Sequence, residues 1–141
     1  MDNKEWLKKL QQGIERLRQG NEMLLMLDPV IDEADGATME ATYRYRPSAW
    51  MMNEFGIISG AAAAAMLDIS SSISAQAIIG DNLTLDMNTS YLRKLSAEKD
   101  VKVRVTVVKA GRLILRMRGE LFDGATGKLA VKAELNIMSA E

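Results

Sequence analysis

The chain is 141 residues long, the size of one domain that buries roughly two-thirds of the surface its unfolded form exposes. Eighteen basic against 19 acidic side chains leave a net charge of −1, so no overall basic field points to nucleic acid or to an anionic membrane. The absence of cysteine and histidine excludes disulfides, thiol nucleophiles, cysteine zinc sites and every histidine-based acid or base.

The opening residues, MDNKEWLKKL, are charged and helix-like and show neither the apolar core nor the cleavage pattern of a signal peptide, so a cytoplasmic location is the default expectation. Residues 4–19 place Trp6, Leu7, Leu10, Ile14 and Leu17 on one face, the pattern of an amphipathic helix. Asp2 or Asn3 can cap it, Gly20-Asn21 can stop it, and Gly13 weakens its middle. Met23 to Leu27 is an apolar patch closed by Asp28-Pro29 and is expected to pack as a helical turn. Residues 1–28 thus read as an N-terminal helical segment packing on the domain. After an Asp35-Gly36 turn, Met39, Ala41, Tyr43 and Tyr45 alternate with polar residues as a strand with one wet face would, until Arg46-Pro47-Ser48 ends it.

The stretch NEFGIISGAAAAAMLD, Asn53 to Asp68, is the most informative part of the chain. Between Ile57 and Ile79, Asp68 is the only charged residue, so the segment reads as a buried helix from about Gly60 to Ile78 carrying one acid. A lone ionised carboxylate in apolar surroundings costs several kcal/mol or shifts its pKa upward unless it is paired, which makes Asp68 a candidate for chemistry. The structural alternative is that Gly60 and Ala61 to Ala65 are small because a sheet wraps the helix tightly, and that Asp68 is bonded to backbone at an interface. A membrane span is disfavoured, because Asp68, Gln76, five serines and a glycine interrupt the run.

Strands follow from there. Leu83 to Tyr91 is the first, and Asp100 to Lys109 the cleanest, with Val101, Val103, Val105 and Val107 on one face and Lys102, Arg104 and Thr106 on the other. Leu113 to Phe122 and Lys128 to Met138 complete the set across the turn at Asp123 to Gly127. One strand, a long helix and four strands make an α+β layer arrangement.

With that order in hand, the chain resembles the hotdog-fold acyl-CoA thioesterases of the phenylacetate-pathway (PaaI-like) type. The family pattern N-x-x-G-x-x-H-G-G, followed on the helix by an acid, is similar to Asn53, Gly56, Ser59, Gly60, Ala61 and Asp68. The resemblance continues through LTLDMNTSYLRKL, VKAGR and DGATGKLAVKAELNI. It implies a hotdog domain over residues 29–141, in which a long central helix is wrapped by a curled antiparallel sheet of five to six strands. It implies an acyl-CoA thioester as substrate, with no cofactor and no metal.

By the same resemblance, Asp68 matches the carboxylate that serves as general base on water or as nucleophile. Gly60 matches the residue whose backbone N–H points at the thioester carbonyl oxygen, a role that a helix N-terminus suits on physical grounds. Asn53 matches an amide that positions the carbonyl or the water, and Thr84 a hydroxyl that holds the water. Arg93, Lys109, Gly111 and Arg112 stand where CoA phosphates are bound, with Lys94 a weaker candidate. In such relatives two subunits share each site, Asn53 and Gly60 coming from one and Asp68 and Thr84 from the other. A homodimer, doubled into a tetramer, is therefore expected, with no nucleic acid or membrane partner. Asn53 as a turn cap and Thr84 as an ordinary strand residue stand as the plain alternatives.

The family histidine is replaced by Ser59 and the second glycine by Ala61. A positioned acid or base is worth roughly 10²- to 10⁴-fold. A serine hydroxyl can still donate a hydrogen bond, and the carboxylate and the backbone N–H remain. Ser59 has no histidine to activate it as a covalent nucleophile. The alternative to hydrolysis is a non-catalytic acyl-CoA or lipid-binding hotdog protein. A hydratase or dehydratase is disfavoured because those relatives pair a histidine with their acid. The methionines near the motif, Met51, Met52, Met66 and Met87, suit either an apolar acyl pocket or core filling, the latter being favoured.

Overall fold

The structure is a computed structural model describing residues 1–140; residue 141, the last of the expected domain, lies outside the described residues. Three helices, α1 (Asn3–Arg18), α2 (Glu22–Leu27) and α3 (Gly60–Ile79), accompany six strands: β1 (Val30–Asp35), β2 (Glu40–Tyr45), β3 (Asn82–Tyr91), β4 (Val101–Ala110), β5 (Ile114–Phe122) and β6 (Leu129–Ser139). The strands form one antiparallel sheet in the order β1-β2-β4-β5-β6-β3, curled around α3. This is the hotdog arrangement.

Alternation sets the inner face. Ala41, Tyr43 and Tyr45 of β2 and Val101, Val103 and Val105 of β4 are buried against α3, while Lys102 and Arg104 point outward. The sheet presses closely enough that a Cβ on Gly119 of β5 would stand 2.8 Å from Leu67 Cδ2. Leu67, Met66 and Ile73 of α3 are wholly buried, and Met51 and Met66 therefore serve as core. Although α3 is long and apolar enough to cross a bilayer, these contacts make it a core helix.

The serines of α3 are tied by hydrogen bonds. The Tyr45 hydroxyl lies 2.6 Å from Ser70 Oγ and that of Tyr43 lies 2.8 Å from Ser74 Oγ, while Ser71 donates to the Leu67 carbonyl at 2.8 Å. Burial pushes both tyrosine hydroxyls far above their ordinary range, so they stay protonated.

Two expectations change, and one open choice is resolved. A strand, β1, precedes the first one read from the sequence; Asp32, Glu33 and Asp35 hid it, and a bulge between Ile31 and Glu33 breaks its alternation. Gly13 is a contact rather than a weak point: α1 crosses α3 there, and a Cβ would stand 3.0 Å from the Ile73 carbonyl oxygen. Asp2 caps α1 by accepting from Glu5 N–H at 2.8 Å, whereas Asn3 accepts from Gly36 N–H at 2.8 Å and ties α1 to the turn after β1.

The two sheet edges differ. The β1 edge is short and acidic, the usual protection of a free edge. The β3 edge is ten residues long and carries Leu83 and Leu85, 61% and 50% exposed.

Candidate active site

α3 and β3 run antiparallel, and three side-chain contacts set their register. Ser72 Oγ donates to Asn82 Oδ1 at 3.0 Å, Thr84 Oγ1 donates to Asp68 Oδ1 at 2.6 Å, and the Tyr91 hydroxyl donates to the Gly60 carbonyl at 2.8 Å. Asp68 is half-buried, not enclosed as the lone acid in an apolar run suggested, because α3 presents it on its flank beside the exposed strand. Its Oδ2 has no partner among the described residues.

At the start of α3, Ser59 is the N-cap, with Oγ accepting from Ala62 N–H at 3.2 Å and its own N–H bonded to the Met51 carbonyl at 2.8 Å. The Ser59 hydroxyl proton has no acceptor among the described residues. The N–H groups of Gly60 and Ala61 likewise have no partner among them, and Gly60 is exposed. Two unpaired donors at the positive end of a 20-residue helix form a pole for negative charge.

Asn53 closes the loop before this helix. Its Oδ1 accepts from Phe55 N–H at 3.0 Å and Ile57 N–H at 3.4 Å, which is the capping role named as its alternative, while Nδ2 is left without a partner among the described residues. Asn53, Gly60, Tyr91, Arg93 and Lys94 line one cleft of about 300 Å³. The Arg93 Nε donates to the Leu129 carbonyl at 3.0 Å.

Lys109, Gly111 and Arg112 lie elsewhere, at the exposed tip between β4 and β5. Gly111 N–H bonds the Ile114 carbonyl at 2.9 Å, and a Cβ on Gly111 would stand 2.8 Å from that same oxygen. Ala110 pairs with Leu115, Leu115 with Ile137, and Ile137 with Thr84, so this tip shares the Thr84 end of the sheet. Neither Lys109 nor Arg112 forms an ion pair among the described residues, whereas Arg104 and Arg116 do.

The expected residues therefore fall into two groups. Asn53, Ser59, Gly60 and Arg93 gather at the N-terminus of α3; Asp68, Thr84 and the β4–β5 tip gather at the other end of β3. Eight residues of helix separate Gly60 from Asp68, about 12 Å along the axis and about 80° around it. One carbonyl cannot touch both within a single chain. Tyr91 is the residue the sequence reading passed over. Its signal was the glycine opposite, since Gly60 leaves room for the ring: a Cβ there would stand 3.3 Å from Tyr91 Cε1. No group of three or more acidic side chains able to hold a metal occurs among the described residues.

Fold and site together define a hotdog protein with a helix carboxylate and an open helix N-terminus. Residues 55–130 match the thioesterase superfamily, and the chain belongs to that family; its class of activity is thioester hydrolysis. No functionally curated protein matches by sequence. Among solved structures, a phenylacetic acid degradation-related protein of Ralstonia eutropha JMP134 is 26% identical, with a TM-score of 0.77 over 89% of this chain and 98% of that one. The PaaI protein of the E. coli phenylacetic acid degradation operon shares the fold at 13% identity, with a TM-score of 0.82 over 95% of each chain. A hypothetical thioesterase protein of Streptococcus pneumoniae TIGR4, solved with coenzyme A, does so at 14% identity, with a TM-score of 0.76 over 86% and 94%.

Proposed function

We propose that this protein is an acyl-CoA thioesterase, active as a homodimer in which each site joins Asn53 and Gly60 of one protomer to Asp68 and Thr84 of the other. The observation that carries this reading is the separation of an acid pair, Asp68–Thr84, from two unpaired helix N–H groups by about 12 Å, too far for one substrate carbonyl. The long exposed β3 edge supports the pairing, because joining two such edges satisfies their backbone groups and covers Leu83 and Leu85. A dimer of dimers would follow the same symmetry.

In this site Asp68 takes a proton from water through Oδ2, while Thr84 holds Oδ1 and offers its own oxygen lone pair to the same water. The oxygen attacks the thioester carbon, and the charge that develops on the carbonyl oxygen meets the N–H of Gly60. Collapse breaks the carbon–sulfur bond, the CoA thiolate takes up a proton, and the products are a carboxylic acid and free CoA. A single oxyanion donor is worth about 2.7 to 4 kcal/mol, comparable to what a missing histidine removes. Ser59, with its hydroxyl proton unused, can donate toward the same oxygen. Asp68 acting directly as nucleophile is the variant of this scheme. Arg93, Lys109, Gly111 and Arg112 are assigned to the CoA phosphates. No cofactor is required, and a cytoplasmic location fits a CoA substrate.

The test is thiol release from short, medium, long and aromatic acyl-CoAs, comparing the native chain with Asp68→Asn. Because the chain has no cysteine, a thiol reagent reports only released CoA. Hydrolysis falling at least 100-fold in Asp68→Asn, with the melting temperature retained, is expected. Silence across the panel, with thermal stabilisation by the same ligands, would instead assign a non-catalytic acyl-CoA-binding protein.

A further inference from the structure

We propose that Tyr91 is a positioning residue for the helix N-terminus, holding the Gly60–Ala61 peptide unit so that the free N–H of Ala61 stays aimed at the substrate oxygen beside that of Gly60. The inference rests on the thioesterase reading for its kinetic consequence, and on geometry alone for its structural one. Glycine has the widest backbone freedom of any residue, so Gly60 at the first helical position is the weakest place to anchor an oxyanion site. Tyr91 restrains it by a hydrogen bond and by close packing. Its hydroxyl donates to the Gly60 carbonyl at 2.8 Å, and its ring lies where a Cβ on Gly60 would meet Cε1, Cζ and the hydroxyl oxygen at 3.3, 3.4 and 3.5 Å.

The bonded carbonyl belongs to the same planar unit as the N–H of Ala61, and in a trans peptide the two point in opposite directions. Fixing the oxygen therefore fixes the direction of that N–H, and the bond polarises the amide toward better donation. Tyr91 ends β3, whose other end carries Thr84, so a single strand supports both groups of the site residues.

The test is Tyr91→Phe, which keeps the ring and removes only the hydroxyl. The expected result is a fall in kcat of about tenfold with KM within twofold, since small misplacement of an oxyanion donor is felt in the transition state. In ¹⁵N-labelled protein the Ala61 amide proton should move upfield and exchange faster, while resonances of the sheet stay in place. Unchanged kcat in an active enzyme, or an unmoved Ala61 amide, overturns the proposal. If the native chain hydrolyses no acyl-CoA, the thioesterase reading fails, and the amide measurement still decides whether Tyr91 holds the peptide.

Discussion

The hydroxyl of Thr84 donates to Oδ1 of Asp68 over 2.6 Å, joining the one acid of α3 to the exposed edge strand. A hydrogen bond to a charged group is worth about 1.5–3 kcal/mol, or about 10- to 100-fold in rate if it is needed in the transition state. Thr84→Val keeps the shape and removes the donor. Steady-state thiol release should show kcat reduced within that range, with Thr84→Ser close to native. Native turnover in Thr84→Val would leave the hydroxyl without a part in the reaction.

The β3 edge offers a clean separation of folding from assembly. Leu85 is 50% exposed in the single chain, so Leu85→Arg should change protomer stability by no more than about 0.5 kcal/mol. Placed at a symmetric edge pairing, it brings two like charges together. Sedimentation at micromolar concentration is expected to show monomers, with hydrolysis lost in parallel. A dimer that persists with full activity would mean that the shared site is built elsewhere.

Arg112 has no ion pair to lose among the described residues, so Arg112→Ala should leave the melting temperature unchanged. If it meets a CoA phosphate, KM should rise about tenfold with kcat little altered, and the native KM should climb with salt. An unaffected KM would return Arg112 to an ordinary solvated tip.

Acid should weaken the fold through Asp123, which is 5% exposed. Burial pushes its carboxyl up, but the N–H of Ser96 and the hydroxyl and N–H of Thr126 outweigh it and hold the group below its ordinary value. A carboxyl with a depressed folded pKa contributes stability in full above its unfolded value, about 3.9, and loses it as pH falls through the folded one. Asp32, lowered by Lys102 and then Arg44, acts in the same direction. Thermal melts from pH 7 to pH 2.5 should fall below about pH 4. Asp123→Asn should start about 2 kcal/mol less stable and fall less steeply. Parallel curves for the two proteins would place the acid sensitivity in other groups.

Much of this fold is legible residue by residue. The valines of β4 and the Ala41, Tyr43, Tyr45 set of β2 alternate because each strand has one face on the core and one in water, and that contrast is written directly in the sequence. β1 was hidden because Asp32, Glu33 and Asp35 crowd an edge strand whose bulge puts its two partly buried residues, Ile31 and Ala34, out of simple alternation. Gly13 looked like a weak point, and it is a contact, as Gly119 is; a missing side chain acquires meaning only when its neighbour is known.

By itself the sequence marked the acid and the glycine at the head of α3, because these are local: the small-residue run shows where the helix begins, and the acid stands out for want of any other charge nearby. Only the tertiary structure decided that Asp68 lies on the helix flank bonded to Thr84, that Tyr91 covers Gly60, and that the β4–β5 tip shares the Thr84 end of the sheet. Those relations depend on the register between α3 and β3 and on the order of strands in the sheet. Register arises from the packing of whole faces against one another, and no short stretch of chain contains it.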